Sequence, residues 1–107
     1  MTPLEGVDLL ALAEYGERRG TRILSDTAEA RLVLFSLQAG QKVSGRGEPR
    51  VHLLALDGEG ELWAGDRRLQ AQAGTLIACD AGTPHGAQAG DGRFLVLGII
   101  TPGPAAA

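Results

Sequence analysis

The sequence predicts an all-β fold, an antiparallel sandwich or barrel preceded by one short helix. Three observations predict it. Between Thr21 and Ile100 the chain breaks into eight brief apolar or alternating runs, each bounded by glycine, aspartate or proline. Turn-forming pairs stand where hairpins need residues tolerant of positive φ. The composition, 44% apolar with 16 glycines and few aromatics, is that of a globular chain with many tight turns.

The elements follow in order. Asp8 to Tyr15 carries Leu9, Leu10, Leu12 and Ala13 at helical spacing, with Gly16 as the stop, so residues 1–20 are expected as a helical N-terminal segment. The barrel is expected over 21–101, built from "TRIL", "ARLVLFSL", "QKV", "VHLLAL", "GELWA", "RLQAQ", "TLIAC" and "RFLVLGII". Asp57-Gly58 is expected to turn "VHLLAL" into "GELWA", and Ala64-Gly65-Asp66 to turn "GELWA" into "RLQAQ". Residues 102–107, rich in proline and alanine, cannot continue a sheet and are expected as a flexible tail.

A chain of 107 residues has room for one compact domain and not for a catalytic domain plus a regulatory one. Its formal charge is −3 and its basic residues are scattered, which argues against nucleic acid or an anionic membrane surface as partner. Nine of the ten basic residues are arginines, and Lys42 is the exception. The single cysteine, Cys79, has no partner for an internal disulfide. The N-terminus has acidic residues where a signal peptide carries basic ones, so the expected location is cytoplasmic. No apolar run approaches the roughly 20 residues that span a bilayer.

Gly74 to His85, "GTLIACDAGTPH", resembles the second conserved motif of the cupins, with Gly74, Gly82 and His85 in place and Asp80 standing where that motif has proline. Upstream, "LQAGQKV" and "LLALDGEGELWAGDRRLQAQAG" are similar to the surroundings of the first cupin motif. The resemblance runs from about Ala30 to Ile100. It implies a cupin-type jelly-roll barrel, a double-stranded β-helix, with His85 facing the interior as a metal ligand, and a homodimer as in small cupins. The exposed lengths of "ARLVLFSL" and "RFLVLGII" call for a cover and point to the same dimer.

The first motif departs from the family. Its two histidines fall on Ser44 and Arg46 and its glutamate on Arg50; a frame slipped by one reaches Gly45 and Gly47 instead. Three of the four usual metal ligands are missing in either frame, and a guanidinium has donors but no lone pair to give a cation. Ser44 and Arg46 share one strand face, and Arg50 and His52 another. With His85, these five residues form a candidate pocket for a carboxylate or phosphate, which arginine grips bidentately, with no metal and no cofactor. Two alternatives stay open: a metal-dependent enzyme of dioxygenase or isomerase type using His52, His85 and the carboxylate of Glu48, and a structural barrel filled by Leu54, Leu56, Phe94 and Val96. Cys79 ends an apolar run as an inert thiol. Asp80 is expected to cap its turn or to pair with an arginine.

Overall fold

A computed structural model of the chain describes residues 6–47 and 49–102. Seven antiparallel strands make up the described fold: β1 (Gly20–Asp26), β2 (Arg31–Leu37), β3 (Lys42–Gly45), β4 (Arg50–Ala64), β5 (Arg67–Gln72), β6 (Leu76–Cys79) and β7 (His85–Thr101). The two long strands lie side by side and belong to two layers at once. The first half of β4 pairs with the last half of β7, from Arg50↔Thr101 to Gly58↔Phe94, in a layer ordered β1-β2-β7-β4-β6. Their other halves pair from Gly60↔Ala89 to Ala64↔His85, in a layer ordered β3-β7-β4-β5.

The strand pattern expected from sequence holds with two changes: one fusion, and a β7 that begins at His85, eight residues before the expected "RFLVLGII". "VHLLAL" and "GELWA" are a single strand, and Asp57-Gly58 makes a bend inside it rather than a hairpin. The β4–β7 register shifts between Ala55 and Asp57 and again between Gly58 and Gly60. A glycine at positive φ serves a bulge as readily as a hairpin turn, and here a neighbouring strand continues on both sides of it. Gly58 has φ 78°, and a side chain there would meet the carbonyl of Arg93. By contrast Ala64-Gly65-Asp66 is the expected hairpin: Ala64 pairs with Arg67 across a two-residue loop in which Gly65 has φ 59°.

The helix expected over Asp8–Tyr15 does not form. Its hydrogen bonds run Ala11 N to Asp8 O, Leu12 N to Leu9 O and Ala13 N to Leu10 O, so the segment is a run of tight turns. Eight residues contribute too few bonds to offset helix nucleation. In addition, the amide of Glu14, which would have continued an α-helix by bonding Leu10 O, donates to the hydroxyl of Ser36 at 3.1 Å. The turns cross the outer surface of the first layer. There they lie beside Leu34, which is 1% exposed although it points away from the inner core. The Arg93 guanidinium stands 4.6 Å over the Tyr15 ring and fastens the same crossing.

Between the layers lies the core. Val51, Leu53 and Ala55 of β4 point inward with Leu62, Ala87, Phe94 and Val96, all buried. Phe94 and Val96 therefore fill the barrel as expected. Leu54 and Leu56 do not; they alternate to the outer face and are half-buried. No described helix is long and apolar enough to cross a membrane. The expected flexible tail lies outside the described residues beyond Pro102, and Glu48 lies outside them as well.

The bend at Gly58–Gly60 brings Gly60 under the Phe94 ring, and a Cβ at Gly60 would sit 2.5 Å from Phe94 Cδ2 and closer still to the Gln88 carbonyl. Gly60→Ala is therefore expected to destabilise the fold by about 1–3 kcal/mol in urea denaturation, the cost of overpacking a closed core.

Candidate functional site

The site begins with the shortest strand. β3 pairs with the start of β7 over four residues: Lys42↔Gln88, Val43↔Ala87, Ser44↔Gly86 and Gly45↔His85. Ala87 is wholly buried in the core, so its partner Val43 faces inward, and two residues along, so do Gly45 and His85. Lys42, Ser44 and Gly45 are exposed, and Val43 is half-buried. Of the two frames for the first motif, the structure thus has the slipped one: the inward position opposite His85 belongs to Gly45. A Cβ on Gly45 would lie 3.3 Å from His85 Nε2. The loop that follows is tied down at Gly47, whose carbonyl accepts a hydrogen bond from Gly82 N in the turn after β6.

On β4 the inward position is Val51, and Arg50 and His52 flank it on the outside. Arg50 is exposed and its Nη2 stands 3.6 Å from Asp80 Oδ1, both side chains being more than half open to solvent. Asp80 thus pairs with an arginine, and its carbonyl also accepts from Thr83 N in the turn. His52 is half-buried on the outer surface, registered with Ala78 of β6 and Ile99 of β7. Arg46 is exposed in the loop. Of the five residues expected to converge, Ser44 and His85 border one cavity, while Arg46, Arg50 and His52 lie away from it. The cause is the two-residue period of a strand: a frame error of one position moves a whole set of side chains to the opposite face.

The cavity lies between the two layers and has a volume of about 150 Å³. Phe35, Val43, Val51, Leu53 and Ile100 form its apolar walls, with Gly86 and Gly98. Gly98 is small for a reason, since a Cβ there would touch the Phe35 ring at 3.0 Å. Phe35, Val43 and Ile100 were not expected in a site. Their signal in the sequence is the alternation of "ARLVLFSL", which puts Phe35 on the same face as Leu37. Nothing local marks that face as a ligand wall rather than core.

Among the described residues, His85 is the one titratable residue in the lining. Pro84 precedes it and its carbonyl accepts a hydrogen bond from Gly65 N, which locks the approach to β7. His85 Nδ1 lies 3.2 Å from the carbonyl oxygen of Thr83. A carbonyl can only accept, so this contact is a hydrogen bond when Nδ1 carries the proton, and a neutral ring then offers Nε2 as a lone pair beside Gly45. Among the described residues, no three of His, Cys, Asp and Glu come together to hold a metal ion. His52 and His85 cannot act as a pair, because one faces solvent and the other the interior.

Cys79 is 1% exposed beside the core. Burial pushes its thiol pKa up; Arg67 opposes that and Asp80 adds to it. A thiol held protonated in this way is the inert one expected. A wider depression of about 370 Å³ lies outside the barrel, between the N-terminal turns and β1–β2, and its charged pair, Arg22 and Glu14, is exposed to solvent.

No family model matches the sequence, and no curated protein matches it. Solved structures do. A protein from Thermus thermophilus is 26% identical over 94% of this chain and 99% of its own, with a TM-score of 0.87. An RmlC-like cupin from Desulfovibrio desulfuricans is 27% identical over 95% and 94% of the two chains, with a TM-score of 0.69. A cupin superfamily protein from Desulfitobacterium hafniense is 24% identical over 92% and 93%, with a TM-score of 0.79.

Proposed function

We propose that this chain, which is a small single-domain cupin, is a binding module for a small and largely apolar molecule held between its two layers with His85 as the polar anchor. The observation that carries this reading is the cavity: about 150 Å³, five apolar walls and one imidazole. An apolar cavity of this size holds a benzene-sized molecule. The anion expected from sequence loses its support, since the two arginines that were to clamp it lie outside the cavity. Among the described residues, the metal-dependent reading likewise lacks a second inward ligand beside His85.

Benzene, the simplest probe of that volume, is expected to shift the methyl resonances of Val51, Leu53 and Ile100 in a saturable titration. Val43→Phe, which fills the cavity from its half-exposed wall, is expected to remove the effect. Shifts confined to the outer surface, or none, would contradict the reading.

We also propose that the chain pairs with a second copy through the outer face of the five-stranded layer. Two rows cross that face in register, Leu76–Leu54–Leu97–Leu34 and Ala78–His52–Ile99–Leu32. Leu76 is 55% exposed, and Leu54, Leu97, Ile99 and Leu32 are half-buried. Arg22, Arg50, Asp57 and Asp80 ring this apolar centre, the anatomy of an interface with a polar rim. A partner on this face also gives His52 a place that is neither core nor pocket. Sedimentation at micromolar concentration is expected to show a dimer for the parent chain and a monomer for Leu54→Asp; a monomeric parent overturns the proposal.

A further inference from the structure

We infer that the cavity selects a ring-sized molecule bearing a hydroxyl group, a phenol in chemical class, over the bare ring and over the same ring bearing a carboxylate. This rests on the cavity being a binding site, and it deepens that reading by naming the chemistry of the polar contact. Three observations on His85 carry it.

First, the contact at Nδ1 favours one tautomer. Thr83 O stands 3.2 Å from Nδ1 and has no hydrogen to give, so the contact is a hydrogen bond when the neutral imidazole carries its proton on Nδ1, and Nε2 is then bare. Second, there is room at Nε2. The facing residue is Gly45, and a Cβ added to it would lie 3.3 Å from that nitrogen; with no Cβ present, a ligand atom can approach it. Third, none of the described lining residues competes for Nε2 or adds charge near it. The neighbouring residues across the two strand pairings are Gly45 and Ala64, and the remaining lining is apolar apart from Ser44, which is exposed.

An acceptor at the end of an apolar slot calls for a ligand that donates. A hydroxyl on a single ring supplies one O–H and adds little volume. A carboxylate at neutral or higher pH brings two acceptors and a charge, with no guanidinium in the lining to meet them, and its desolvation goes uncompensated. The unsubstituted ring fits the walls but leaves Nε2 without a partner.

The test titrates benzene, phenol and benzoate into the full chain at pH 8, with long-range ¹⁵N correlation spectra of the His85 ring recorded in parallel. The spectra are expected to show the proton on Nδ1 and an unprotonated Nε2. Phenol is expected to bind about 3- to 10-fold more tightly than benzene, the worth of one net hydrogen bond, and benzoate more weakly than benzene. In His85→Leu, benzene affinity should stay within about twofold while the advantage of phenol disappears. If benzene binds and phenol binds no better, or if Nε2 carries the proton, the inference falls while the binding reading stands. If neither ring binds, both fall. The ranking and the spectra come from the parent chain, so the outcome does not depend on the variant folding.

Discussion

The pairing of β4 with β7 is the constraint on which the rest of the structure depends. Each strand is long enough to serve both layers, and the breaks in register at Ala55–Asp57 and Gly58–Gly60 let them pass from one layer to the other without losing each other as partners. Every remaining strand attaches to one of these two or, in the case of β1, to a strand that does. Because side chains alternate along the first half of β4, before the register breaks, this pairing also decides what the interior contains there. With Val51, Leu53 and Ala55 inward, Arg50 and His52 are carried outward, whatever their chemistry would suggest.

The four residues of β3 complete the site by what they lack. Placing Gly45 opposite His85 removes the partner that a shared ligand would need and leaves an imidazole nitrogen open to a small space. The other ring nitrogen is satisfied by the Thr83 carbonyl, so the ring is oriented without help from a metal or a carboxylate. Under the proposed reading, an acceptor with no partner in the protein is one that a donating ligand group satisfies, which makes the chemistry at Nε2 responsive to the ligand. In the proposed function, the apolar walls supply most of the affinity and the imidazole supplies the discrimination.

Much of this was legible in the sequence, and what was not has a physical reason. Alternating runs marked the strands, Gly65 marked a true hairpin, and Gly74 to His85 marked both the fold and the inward histidine. Asp57-Gly58 misled because a positive-φ glycine suits a bulge as well as a hairpin, and only the neighbouring β7 shows which is formed. The short N-terminal run has helical spacing, yet its Glu14 amide is claimed by Ser36, 22 residues away. The arginines do not converge on His85, and for Arg46 the reason is a single step of frame: both alignments of the first motif were consistent with the sequence, and the register of β3 on β7 places Gly45 opposite His85. Ligand walls such as Phe35 and Ile100 look like ordinary core residues until the gap between the layers is seen.

The most direct measurement is diffraction from crystals of the chain pressurised with xenon, which enters apolar cavities and avoids wet or charged ones. A xenon atom between Phe35, Val51 and Ile100, with His85 Nε2 facing it and no metal bound to that nitrogen, is the predicted result. Ordered water filling the space, or a metal on His85 Nε2 held by further ligands of the chain, would contradict it.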